Sequence, residues 1–175
     1  MKSQVKRAML VVGNALAISA ATALPAAAVT GSETVLGRIV TSGVSGTRTT
    51  ISSVAVAKGV FSGVGRIVAV PSLPTDPPDV RRVDLVYPVG TMHLVSTSVL
   101  VSFTVDPHSC LFRAITQESA HIEGGIGLFA DAAGTFTGSV SPQGLLPRNP
   151  DGSCVVGQPA LHEVDMVAFS GTLSF

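Results

Sequence analysis

Tryptophan is absent from this 175-residue chain, and tyrosine occurs once, at Tyr87. Nucleic-acid bases and sugars stack on such rings, so platforms for either are scarce. Charge is thin as well, at 13% of residues, and beyond the first few residues the one adjacent basic pair, Arg81-Arg82, is flanked by Asp79 and Asp84. Without a basic patch there is no footprint for a phosphate backbone, which argues against nucleic-acid binding. No G-x-S-x-G elbow, P-loop or dinucleotide fingerprint occurs. Gly63-Val64-Gly65 and Gly124-Gly125-Ile126-Gly127 are not followed by helical patterns, so phosphate binding does not follow from them. No cofactor is expected.

Long apolar runs are also missing, except at the start. A basic opening, with Lys2, Lys6 and Arg7, leads into the apolar stretch Ala8 to Leu24, then Pro25 and Ala26-Ala27-Ala28. That order is the pattern of a secretory signal peptide with a small-residue cleavage site. Residues 1–28 are therefore read as a signal and residues 29–175 as a single domain that leaves the cell, with no stable membrane span after cleavage. Over that domain eight basic side chains face eleven acidic ones, a net charge of −3. Cysteine is limited to Cys110 and Cys154. An even pair in an oxidising compartment favours a disulfide between them over a catalytic thiol.

What the chain does have is short β-branched runs separated by Gly, Pro, Ser and Asp, with little helical periodicity, which argues for an all-β sandwich or barrel. Strands are expected near Glu33–Val40, Thr49–Ala57, Val64–Val70, Arg82–Tyr87, Thr91–Val105, Cys110–Glu118, Gly127–Ala130, Thr135–Val140 and Leu161–Phe175. Alternation assigns faces. From Thr91 the odd positions His93, Val95, Val99, Val101 and Phe103 form the more apolar set and are expected inside. Leu85 and Tyr87 fall on an inward face of the preceding strand, and Phe112 and Glu118 on that of the next. The segment Ser141 to Ala160, irregular and rich in proline, contains Cys154, so the bridge is expected to pin it to the rim.

The stretch Gly124 to Gly138 is the most distinctive. Glycines inside strand patterns mark bends, bulges or close backbone approach, as at the corner of a tightly curved barrel. Its G-G-x-G-x-F-x-x-A-x-G spacing is carried by Gly124, Gly125, Gly127, Phe129, Ala132 and Gly134. Upstream stand an Asp-rich loop, a strand, the P-x-G-x-x-H segment of Pro88, Gly90 and His93, and a long strand. From about Val64 to Phe175 the chain resembles the allene oxide cyclase and dirigent-like superfamily, in particular small secreted actinobacterial members without an assigned function. The resemblance implies an eight-stranded antiparallel, calycin-like barrel with a central cavity. In plant members that cavity shapes an apolar epoxide or radical without a cofactor. No catalytic position carries over, because Glu33–Ala57 shows no matching motif.

Three functions follow as expectations. The first is binding of a small apolar molecule in a cavity lined by Leu85, Val95, Val99, Val101, Phe103 and Phe112. The second is a cofactor-free isomerase or cyclase, or dirigent-like control of stereochemistry, in which inward-pointing His93 and Glu118 act as an acid–base pair and Tyr87 donates from the wall. The third is an extracellular structural or interaction protein. The pairs His121/Glu123 and Glu163/Asp165 are metal-ligand types, but neither supplies three ligands, so no metal is expected.

Overall fold

The computed structural model describes residues 29–44 and 46–175; the expected signal peptide lies outside the described residues. Eight strands follow one another: β1 (Thr30–Ser42), β2 (Thr49–Gly59), β3 (Gly63–Val70), β4 (Val80–Tyr87), β5 (Gly90–Val105), β6 (Leu111–Gly127), β7 (Ala133–Leu145) and β8 (His162–Ser174). Each pairs antiparallel with its neighbours, and β8 returns to β1, from Thr30 opposite Ser174 to Thr41 opposite Glu163. The result is a closed up-and-down barrel. The described residues contain no helix long and apolar enough to cross a membrane.

The glycine stretch occupies the bend from β6 to β7. Opposite Met92 and Leu94 of β5, β6 places Gly125 and Ile122, so Glu123 and Gly124 together face the single residue His93. This is a bulge, and Gly124 adopts φ 106° to make it. Gly127, at φ 66°, turns the chain out of the strand. The expected strand over Gly127–Ala130 is instead a turn, because the ladder stops at Gly127 and Leu128 bonds the carbonyl of Val89 at 3.0 Å. Gly138 serves packing: a Cβ there would collide with the carbonyl of Ala168 on β8.

One end of the barrel is plugged by aromatic rings. Phe61 from the β2–β3 turn stands edge-on to Tyr87 at 4.9 Å and to Phe129 at 5.1 Å. Phe129 also meets Phe175 at 5.6 Å. Beneath the rings Met92, Leu173, Ala57 and Ile122 are buried. Glu33 is buried with them, and one of its carboxylate oxygens accepts the Phe61 backbone N–H at 2.8 Å.

At the other end β5 runs on past β4, whose pairing stops at Thr97, and forms a projecting arm with β6, which stays paired with β7 from Leu111; Val99, Leu100, Val101 and Phe103 along the arm are exposed. Cys110, at the start of the arm's returning strand, is bonded to Cys154 with their Cα atoms 5.4 Å apart. The expected pairing is therefore present, and it anchors the segment 146–161 to the arm's turn. A small cluster of Cys110, Phe112, Leu146 and Ala160 lies beneath, separate from the main core.

Candidate functional site

A cavity of about 440 Å³ opens at the arm end of the barrel. That volume is within the range of sites for small organic ligands. Its inner part is apolar, lined by Val35, Ile67, Leu85, Leu94, Phe136 and Val167, with Ala120 and Val140 on the wall. Towards the mouth the lining becomes polar: Thr41 and Thr50, then Ser96 and Ser98, then the charged Arg48, Arg81, Glu118, Glu163 and Asp165. Each comes from a strand position that alternation turns inward, except Thr50, which the register shift between β1 and β2 at Val40/Thr41 brings round, and Arg48, which reaches in from the β1–β2 connection.

The charged groups form a network. The Arg48 guanidinium donates from Nη2 to Glu163 Oε1 at 2.8 Å and to Asp165 Oδ2 at 2.7 Å, and from Nε to Thr41 Oγ1 at 3.3 Å. Across the mouth the Ser96 hydroxyl donates to Glu118 Oε2 at 3.0 Å. Arg81 donates to the carbonyls of Pro78 and Val80 at 2.6 and 2.9 Å. The other oxygen of Asp165, Oδ1, is buried without a hydrogen-bond partner, although the residue is only 5% exposed. Arg82 also borders the cavity, but its guanidinium is taken by Asp76 at 2.8 Å and Glu123 at 2.7 Å.

Burial shapes the protonation of this mouth. It pushes the Glu163 carboxyl from 4.5 up to about 7, with Asp165 adding to the rise and Arg48 opposing it. Burial likewise raises the Glu118 carboxyl, against the Ser96 and Ser98 hydroxyls and Arg81. For a carboxyl whose native value is raised, the native state holds a proton that the unfolded chain has lost, so the group's contribution falls as pH climbs from 4.5 to about 7. Glu163→Gln carries no such dependence. Its melting temperature is expected to gain on the wild type between pH 5 and pH 8, which paired thermal melts measure; a constant difference would contradict the assignment.

The expected site residues are only partly brought together. Leu85 and Glu118 line the cavity. His93 does not: it stands on the outer surface, paired with Asp84 at 2.7 Å, with its side chain 43% exposed. The acid–base pair of His93 and Glu118 is therefore not assembled. Tyr87 faces inward but lies in the aromatic plug, where burial and then Glu33 push its hydroxyl up to about 12, so it keeps its proton at neutral pH. Val95 and Val99, opposite His121 and Gln117, share the outer face with His93.

The cause is a second bulge, with Leu100 opposite Thr116 and Ser102 opposite Ile115, which leaves Val101 as the extra residue. An extra residue reverses the alternation beyond it. Phe112 therefore belongs to the small cluster, and Phe103, on the same side of the arm and partly exposed, meets it with ring centroids 6.0 Å apart; neither lines the cavity. On the barrel side of the bulge the inward residues are Leu94, Ser96 and Ser98. Sequence reasoning missed Arg48, Arg81, Ser96, Glu163 and Asp165 as site residues. A signal for the last two existed: Glu163, Asp165, Val167 and Phe169 share one face of β8.

No group of three His, Cys, Asp or Glu side chains among the described residues is arranged to hold a metal ion. No protein-family model matches the chain, and neither a curated protein nor a solved structure is similar to it at a significant level.

Proposed function

We propose that this chain is an exported binding protein whose barrel holds one small molecule, its apolar body among Val35, Leu85, Leu94 and Val167. The observation that carries this is the 440 Å³ cavity, closed by aromatic rings at one end and open at the other. An apolar surface of this kind is best stabilised by an apolar occupant. The disulfide supports export, since such bonds persist in oxidising compartments. The barrel topology and the glycine bend support membership of the allene oxide cyclase and dirigent-like superfamily. Native mass spectrometry of the chain with the organic extract of its own culture medium tests the reading. The expected result is a single one-to-one adduct; bare polypeptide throughout would overturn it.

A second reading, a cofactor-free isomerase, is favoured by one feature. Glu118 is a half-buried carboxyl of raised pKa on the cavity wall, suited to moving a proton on a bound substrate. It requires turnover that Glu118→Gln abolishes while binding persists. Binding without turnover of any adduct-forming compound would count against it.

A further inference from the structure

We infer that the molecule held in the barrel carries a protonated aliphatic amine, received at the mouth by Asp165 together with Glu163 and Glu118. The inference rests on the binding reading above and specifies the chemistry of its ligand. Asp165 lines the cavity, and its Oδ1 is buried without a hydrogen-bond partner, although Oδ2 of the same carboxylate is bonded by Arg48 at 2.7 Å. Buried polar atoms are nearly always satisfied, so an orphan acceptor on a residue that lines a cavity marks where a ligand's donor belongs.

Charge selects among donors. Three carboxylates approach the mouth from β6 and β8, and besides Arg82, which is paired with Asp76 and Glu123, the guanidinium groups lining it are Arg48 and Arg81. Arg48 is already shared between Glu163 and Asp165, and Arg81 is bonded to the carbonyls of Pro78 and Val80. Hydrogen bonds to neutral carbonyls leave the Arg81 charge in place, so with Glu163 ionised three carboxylates face two guanidinium groups and the mouth carries one negative charge in excess, which repels an anionic head group. A hydroxyl would satisfy Asp165 but leave the excess negative charge. An ammonium does both, through charge-assisted hydrogen bonds. Because no metal-binding group is arranged there among the described residues, the cation is an organic one joined to the apolar body that fills the inner cavity.

Three ligands of one chain length separate the possibilities: octylamine, octanol and octanoate, each competing with the neutral fluorophore N-phenyl-1-naphthylamine. At pH 8 Glu163, raised to about 7, is ionised. Octylamine is expected to displace the fluorophore at a concentration about tenfold below that of octanol, with octanoate weakest. Asp165→Asn should remove most of this preference. Because Asp165 also holds Arg48, Glu118→Gln provides a second variant outside that ion pair, and it should reduce the preference in the same direction. Equal displacement by octylamine and octanol, or octanoate as the best competitor, overturns the amine inference and leaves the cavity reading standing. No displacement by any of the three, with no fluorophore bound, overturns both.

Discussion

Phe129→Ala is expected to cost about 4 kcal/mol of stability, in the range measured for removing buried phenylalanine rings. Phe129 is fully buried and is the ring that meets Phe61, Tyr87 and Phe175, so it ties the β2–β3 turn, β4 and the chain's last residue into one plug. Its edge-to-face pairs with Phe61 and Phe175 each add about 0.5–1.5 kcal/mol beyond burial, and neither survives truncation. A chain of this size should lose roughly 10–15 °C in melting temperature, or the corresponding free energy in a urea titration. A loss below about 1 kcal/mol would mean that the rings do not act as the closure of the barrel.

Removing the disulfide is the second large effect. Cys110 and Cys154 are 44 positions apart, and closing a loop of that length restricts the unfolded chain by about 4 kcal/mol in the chain-entropy account. The Cys110→Ser, Cys154→Ser double variant should therefore unfold at markedly lower denaturant. It should also show where the loss falls. The bridge belongs to the small cluster with Phe112, Leu146 and Ala160, apart from the main core, so the barrel should keep its strands while segment 146–161 loosens. Arg148 lies in that segment, its guanidinium bonded to the carbonyls of Gly152 and His108. Limited trypsin digestion should then cut the variant after Arg148 and spare the wild type. Equal melting and equal resistance would contradict this division of the molecule.

The barrel was legible in the sequence because its signals are local. Short β-branched runs mark the strands, and Gly124 and Gly127 mark the bend through backbone angles that glycine adopts readily. The faces of β5 were not, for two reasons. The bulge at Val101 sits within Val99-Leu100-Val101, where neither glycine nor proline announces it. The rule that apolar residues point inward also fails at a polar mouth, where Ser96 and Ser98 face the cavity and Val99 faces out. The same expectation placed His93 inside, and its neighbour Asp84 holds it outside. Glu163 and Asp165 were visible as a same-face pair, but their partner Arg48 lies 115 and 117 positions away, and only barrel closure between β1 and β8 brings them together.

A fluorescence titration with N-phenyl-1-naphthylamine, run on the wild type and on Ala120→Trp, tests the barrel cavity most directly. Ala120 is buried on the cavity wall opposite Ser96 and beside Phe136, so an indole there would occupy the space a ligand needs. Val140→Trp, nearer the mouth, serves if Ala120→Trp does not fold. The expected result is saturable one-to-one binding by the wild type and its loss in a variant that still melts cooperatively. No saturable binding by the wild type, or the same binding in the filled barrel, would contradict a ligand site inside it.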